Sequence, residues 1–169
     1  MKKLIYLALI ILLISCVPTK SESGSNTSSL GKETLKGTWE VTNIKFIGDQ
    51  NLSKTSLFDL ADSQCFKGSK WVFTPVDGSG KITLDSSARC KASVNRIYWS
   101  FFEPGNGSYQ LQFKHVDKKN KALDTANRGY QSTVNSLSEN SMEMRVTTTH
   151  NGNLFDIVMR FTKISELTF

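Results

Sequence analysis

Histidine is scarce in this chain of 169 residues, and the short motifs that build most catalytic and metal centres are missing. His115 and His150 are the only histidines, and neither has an adjacent Cys, Asp or Glu at metal-ligand spacing. Serine is abundant, yet no G-x-S-x-G, no H-E-x-x-H and no phosphate-binding glycine loop occurs. The sequence predicts no enzyme, no cofactor and no metal site, and leaves open only a carboxylate pair assembled in space.

The chain also lacks a hydrophobic run long enough to cross a membrane permanently. Its longest run, residues 4–14, has eleven residues, whereas a spanning helix needs about 20. Lys2 and Lys3 stand directly before the run. A short apolar segment behind a basic start predicts a signal peptide over residues 1–15.

The four residues that close this segment, Leu13-Ile14-Ser15-Cys16, resemble the bacterial lipobox. The resemblance implies cleavage before Cys16 and a lipid on its thiol, with two or three acyl chains holding the protein on a membrane. The alternative is an ordinary secretory signal with an incidental cysteine. Because Val17 rather than Asp follows Cys16, we expect a place in the cell envelope, at the outer membrane.

Only three cysteines occur, and lipidation of Cys16 leaves Cys65 and Cys90 as an even pair. In an exported protein such a pair predicts a disulfide, and two free buried thiols are the alternative. Closing a loop of about 25 residues stabilises a fold by roughly 3–4 kcal/mol in the chain-entropy model.

Clustered charge is nearly absent as well. The net charge of +6 falls to +4 when the two leader lysines are removed, and the basic residues are scattered. The one cluster, at 118–121, is typical of a solvated loop. We expect no nucleic-acid partner, because such a surface needs a coherent basic face.

Composition divides the rest of the chain into a tether and one domain. Residues 16–34 are rich in Ser, Thr, Gly and Asn, which is typical of a flexible tether. From residue 35 to 169, short β-rich segments alternate with Gly, Asn and Asp and predict an antiparallel all-β domain. Eight strands are predicted, at 37–46, 70–74, 81–84, 94–102, 109–116, 129–137, 141–149 and 154–163.

One helix and several tight turns complete the predicted elements. Leu57, Phe58, Leu60 and Ala61 are spaced as on a helix face, which predicts a short helix after the first strand. The turn residues 104–107 and 151–153 are typical of hairpins. Consecutive hairpins form a meander, which can close into a barrel and so remove its edges.

Gly37-Thr38-Trp39 at the start of the first strand resembles the G-x-W signature of lipocalins, and Arg160 lies in the last strand. The resemblance covers residues 35–163 and implies an eight-stranded antiparallel up-and-down lipocalin-like barrel. It further implies that the Arg160 guanidinium packs on the Trp39 ring. The Thr-Asp-Tyr motif of better characterised lipocalins is missing, and the chain is more similar to divergent lipocalin-like bacterial lipoproteins, several of which carry a comparable cysteine pair.

Large side chains spaced two apart are expected to point into the barrel and to line a ligand site or simply to fill the core. Such a lining suits a small hydrophobic molecule. The alternative function is a solid barrel that serves as an interaction module, with the loop 117–128 contacting a protein partner that the sequence does not identify. The lining candidates are Trp99, Phe101, Tyr109, Leu111, Phe113, Tyr130, Met142, Met144 and Val146.

Overall fold

A computed structural model describes residues 31–48, 55–104, 108–150 and 152–166. The predicted signal peptide, the lipidation site Cys16 and the tether up to residue 30 lie outside the described residues, as do turn residues 105–107 and Asn151. Within the described ranges, no helix combines the length and the apolar character that a membrane span requires.

Eight strands form a closed antiparallel barrel, as predicted. Two short strands and one 3-10 helix (Ser63–Phe66) lie between the first and second barrel strands. In chain order the strands are β1 (Gly37–Ile47), β2 (Ser56–Leu57), β3 (Ala61–Asp62), β4 (Lys70–Thr74), β5 (Ser79–Leu84), β6 (Ser93–Phe102), β7 (Tyr109–His115), β8 (Tyr130–Leu137), β9 (Ser141–His150) and β10 (Asn153–Ser165).

The barrel is an up-and-down meander. From β4 to β10 each strand pairs with the next, and β1 closes the ring by pairing with both β10 and β4. The predicted limits of the eight barrel strands agree with these bounds to within two residues. Alternation explains this accuracy: in β6, Ile97, Trp99 and Phe101 are buried while Tyr98 and Ser100 are exposed.

The short helix is present after β1, but not where the sequence predicts it. Leu57, Phe58, Leu60 and Ala61 belong to the β2–β3 hairpin, and the helix follows as one 3-10 turn. Its N-cap, Asp62, accepts a hydrogen bond from the Gln64 backbone N–H at 2.9 Å. Four apolar residues are too few to nucleate an α-helix on their own, so the burial of their side chains in the barrel decides their conformation.

The predicted disulfide between Cys65 and Cys90 is formed. Cys65 lies in the 3-10 helix, and Cys90 lies in the connection from β5 to β6. The bond therefore ties the β1–β4 connection, including the β2–β3 hairpin, to a neighbouring loop at the same end of the barrel.

The opposite end of the barrel is closed around Trp39, and we call it the Trp39 end. Residues 31–34 are helical, and the following Leu35 is fully buried. The Trp39 indole Nε1 donates a hydrogen bond to the Leu35 carbonyl at 2.8 Å. The Lys163 ammonium lies over the Trp39 ring, 5.1 Å from its centroid. These contacts seal this end from solvent.

The expected contact between Arg160 and Trp39 is wrong. Met159 and Phe161 point into the barrel, so alternation places Arg160 on the outer face and Lys163 on the inner one. Arg160 Nε instead pairs with Glu143 Oε2 at 3.0 Å. The hydrogen bond from Arg160 is the main cause of the lowered pKa of Glu143.

Two methionine substitutions test this assignment. Lys163 and Arg160 each hold a glutamate at 3.0 Å, but only Lys163 also lies on an indole. Lys163→Met should reduce the free energy of unfolding by about 1 kcal/mol, because a partly desolvated cation-π contact is lost. Arg160→Met should change it by less than about 0.5 kcal/mol. Urea unfolding followed by tryptophan fluorescence measures both, and equal losses would contradict the assignment.

Candidate functional site

The barrel interior contains all of the residues that were predicted to line a ligand site. The inward register is correct: seven of the nine are buried, with exposed fractions of 9% or less, while Tyr109 and Tyr130 are half-buried against the same core. They do not form one chamber, however. Phe101 stacks on Tyr109 at 5.1 Å, whereas Phe113 and Tyr130 meet at 5.4 Å near the other end.

Aromatic rings fill the barrel along its length. Phe58 contacts Trp71 at 5.8 Å between centroids, Trp71 contacts Phe73 at 6.2 Å, and Phe73 contacts Trp99 at 5.1 Å. Trp71, on β4, also reaches Phe161 on β10 at 5.5 Å. Because rings from separate strands touch across the lumen, these side chains act as a packed core.

Phe58 comes from outside the barrel wall and occupies the mouth at what we call the Phe58 end. It is the first residue of the loop that joins β2 to β3, and it is 4% exposed. Its ring makes edge contacts with Phe66, Trp71, Phe113 and Tyr130 at 4.9–5.8 Å. The hairpin is therefore a plug whose tip is an aromatic ring.

The plug is held in an unfavourable backbone conformation. Phe58 and the next residue, Asp59, have φ values of 55° and 53°. Non-glycine residues in this left-handed region cost about 1–3 kcal/mol each, and they persist only where the surroundings enforce them. Burial of the Phe58 ring supplies that enforcement, so strain and packing oppose each other at this position.

Polar groups around the plug fix its position. The Tyr130 hydroxyl donates to Asp59 Oδ2 at 2.8 Å, and His115 Nε2 lies 3.0 Å from the Phe58 carbonyl oxygen. His115 thus contacts the backbone of the plug and helps to hold it. Burial, followed by the hydrogen bond to Asp59, raises the pKa of Tyr130 to about 12.

A side pocket of about 330 Å³ opens beside the plug. Asp124, on its wall, accepts hydrogen bonds from the Ala126 backbone N–H at 2.8 Å and from Arg128 Nε at 2.7 Å, and these bonds lower its pKa. In the described part of the chain, no three His, Cys, Asp or Glu side chains are grouped to hold a metal ion. The pocket is lined by Asp59, Leu60, Asn95, His115, Leu123, Asp124, Arg128 and Tyr130.

Sequence reasoning missed both Phe58 and Asp59 as site residues. Asp59 is a residue type that tolerates positive φ, but a single Asp without Gly or Asn beside it does not identify a turn, and nothing local predicts positive φ at Phe58. The available signal was the apolar spacing of Leu57, Phe58, Leu60 and Ala61, which predicted a helix. Only the docking of the hairpin on the barrel shows that these residues bury Phe58 at its mouth.

Titration of Tyr130 tests the contact that holds the plug. A phenol in the unfolded chain loses its proton near its ordinary pKa of 10.0, whereas Tyr130 in the folded chain keeps it to about 12. Its contribution to stability is therefore complete below pH 10 and is lost as the pH rises to 12. Ultraviolet difference spectra against Tyr130→Phe should show this late titration. In Asp59→Asn the pKa should fall but stay above 10, because burial is the larger cause. Ordinary titration near 10 in the parent chain would contradict the contact.

No protein-family model and no curated protein matches this chain. Similar solved structures include three of bovine odorant-binding protein. The complex with a selenium-containing odorant is 13% identical, with a TM-score of 0.40, covering 79% of this chain and 72% of that one. The protein from nasal mucosa is 14% identical, with a TM-score of 0.40 and coverage of 88% and 80%. The complex with undecanal is 14% identical, with a TM-score of 0.39 and coverage of 86% and 77%. Likeness at this level transfers neither a ligand nor family membership to this chain.

Proposed function

We propose that this chain is the precursor of a lipoprotein of the bacterial cell envelope, and that its barrel binds or carries a small hydrophobic molecule at the Phe58 end. The basic start, the short apolar run and Cys16 support export and lipid attachment. Val17 follows Cys16 where an inner-membrane retention signal would have Asp, and this supports a location at the outer membrane. The chain enters the barrel at the Trp39 end, so the Phe58 end is the one that the tether leaves accessible.

The insertion of the Phe58 ring into the mouth of the barrel is the observation that carries this proposal. The ring belongs to a short hairpin, not to a barrel strand, and its withdrawal leaves all eight wall strands paired. A hydrophobic ligand that displaces it would inherit its contacts with four aromatic rings. The strain stored at Phe58 and Asp59 would be released at the same time.

The surroundings of the ring limit the kind of ligand. The groups that Phe58 contacts are the faces and edges of other aromatic rings, and such sites favour flat, apolar molecules. Tyr130 and His115 lie at the edge of this site, where each already contacts the hairpin. They would be released to bind one polar group of the ligand. We therefore expect a flat hydrophobic molecule with a single polar end.

Removal of the Phe58 ring tests the proposal directly. In Phe58→Ala the mouth is opened without a hairpin movement, so the affinity for the apolar fluorescent probe N-phenyl-1-naphthylamine should rise by about tenfold. The free energy of unfolding should fall by about 3 kcal/mol, as for other buried rings. Fluorescence titration and urea unfolding measure the two effects.

Phe161→Ala is the matched control. Phe161 is equally buried, at 2% exposure, and contacts Trp71, but it belongs to the wall strand β10. It should lose comparable stability without gaining affinity for the probe. If neither the parent chain nor Phe58→Ala binds the probe, the carrier function is wrong.

The anchor requires its own test. Mass spectrometry of the mature chain, isolated from the membranes of a bacterial host, should find Cys16 as the N-terminal residue with two or three acyl chains. Cys16→Ala should abolish lipid attachment and release the protein from the membrane fraction. The apolar run of residues 4–14 is too short to anchor the protein permanently without the lipid. An unmodified Cys16 within an uncleaved chain would contradict this part of the proposal.

A solid interaction module is the second candidate, and the loop between β7 and β8 favours it. The loop is ordered, because the Asp117 carboxylate accepts from the backbone N–H groups of Lys119 and Lys121 at 2.7 and 2.9 Å. Leu123 lies in this loop with 64% of its surface exposed. A long, hydrogen-bonded loop that presents an exposed apolar side chain suits contact with another protein. If the barrel does not bind N-phenyl-1-naphthylamine, the interaction-module function is favoured.

A further inference from the structure

Two depressions lie side by side on the outer surface of the barrel. One, of about 400 Å³, is lined from β6, β7, β8 and the residues before β8, and it includes Tyr98, Gln112 and Gln131. The other, of about 360 Å³, is lined from β4, β5 and β6 and includes Lys81 and Arg96. They adjoin because strand pairing places Tyr98 opposite Ser79, which lines the second depression.

We call the joined depressions the outer groove and define it by Lys81, Arg96, Tyr98, Gln112, Lys114 and Gln131. From β5 to β8 it crosses three inter-strand spacings, or about 14 Å. This length exceeds that of a single small ion and suits an extended ligand. The groove is separate from the barrel interior, because its side chains point outward where their neighbours in sequence point inward.

Positive charge without a counter-charge lies at one end of the groove. Lys81 and Arg96 are directly opposite each other on β5 and β6, and both are exposed. Like charges in that position destabilise a sheet. Neither takes part in an ion pair of the described residues. Lys114, opposite Tyr98, binds the neutral Asn127 Oδ1 at 2.9 Å, so its charge is not neutralised either. An anionic ligand would relieve this repulsion.

Amide groups at the other end form an oriented relay. Gln112 Nε2 donates to Gln131 Oε1 at 3.2 Å, and Gln131 Nε2 donates to Gln110 Oε1 at 2.8 Å. The relay fixes the orientation of three amides on adjacent strands. Each amide has donor and acceptor groups beyond those used in the relay. Fixed donors and acceptors of this kind match the paired hydroxyls of a sugar.

Between the Lys81–Arg96 pair and the amides lies an exposed aromatic ring. Tyr98 is 45% exposed, which is high for a residue of this size. It lies against the turn before β5, where Gly78 has φ +68° and a Cβ would come within 3.3 Å of the Tyr98 ring. Glycine therefore permits the ring to rest on the turn. The C–H face of a sugar is its apolar surface, and an exposed ring of this kind offers a place for it to pack.

We propose that the outer groove binds an acidic oligosaccharide. Its carboxylate or sulfate groups would pair with Lys81 and Arg96, one sugar ring would pack on Tyr98, and hydroxyl groups would bind the glutamine amides. A free anion would use only the cations, and a neutral sugar would use only the ring and the amides. An acidic saccharide uses all three.

Calorimetric titration of the full chain with a short oligogalacturonate tests this. Binding should weaken by about tenfold or more in Lys81→Ala/Arg96→Ala, because charge-assisted bonds are lost. Tyr98→Ala should also weaken it by about tenfold, whereas Tyr98→Phe keeps the ring and should retain most of the affinity. The matched control, Lys118→Ala/Lys121→Ala, removes the same charge from the β7–β8 loop and should bind like the parent chain.

Four outcomes would overturn the proposal. They are the absence of binding, equal losses in the two double variants, equal affinity for inorganic phosphate, and equal affinity for a neutral oligosaccharide of the same length. Equal losses would mean attraction by overall charge alone. Thermal unfolding of each variant checks that the fold persists, which is expected because the substituted side chains are exposed.

Discussion

Closure of the barrel between β1 and β4 is the constraint on which the rest of the structure depends. Four residue pairs join these strands, from Gly37 with Phe73 to Glu40 with Lys70. Gly37 is required there, since it has φ +128° and a Cβ would lie 2.6 Å from the Ser165 carbonyl oxygen. Once every barrel strand has two neighbours, alternate side chains must either meet in the lumen or face solvent.

The lumen that results is too full to be a ready-made cavity along its whole length. Rings from Phe58 to Trp99 form a continuous series of contacts. Under the proposed function, space for a ligand would be created by displacement of the hairpin that carries Phe58, because this hairpin lies outside the strands of the barrel wall. Asp59 and Tyr130 orient the hairpin, and the Cys65–Cys90 bond limits how far its base can travel. Binding at this end would thus exchange one set of aromatic contacts for another.

The alternation of side chains along each strand that fills the interior also determines which residues face outward. It places Lys163 over Trp39 and sends Arg160 outward to Glu143. It also collects Arg96 and Tyr98 on one outer face, beside residues of β5 and β7. The two proposed sites, one inside the barrel and one on its outer face, therefore share no side chains.

Sequence by itself determined the eight barrel strands, the inward register of residues such as Trp99 and Met144, and the partner of Cys65. Each follows from local chemistry: period-two alternation, turn residues, and an even cysteine pair. Only the tertiary structure decided that Phe58 plugs the mouth, that Lys163 rather than Arg160 covers Trp39, and that Lys81 faces Arg96. Those outcomes depend on which strands become neighbours and how far each is shifted along the next. Pairing between distant segments sets the shift of each strand against its neighbour, and no short stretch of sequence encodes that shift.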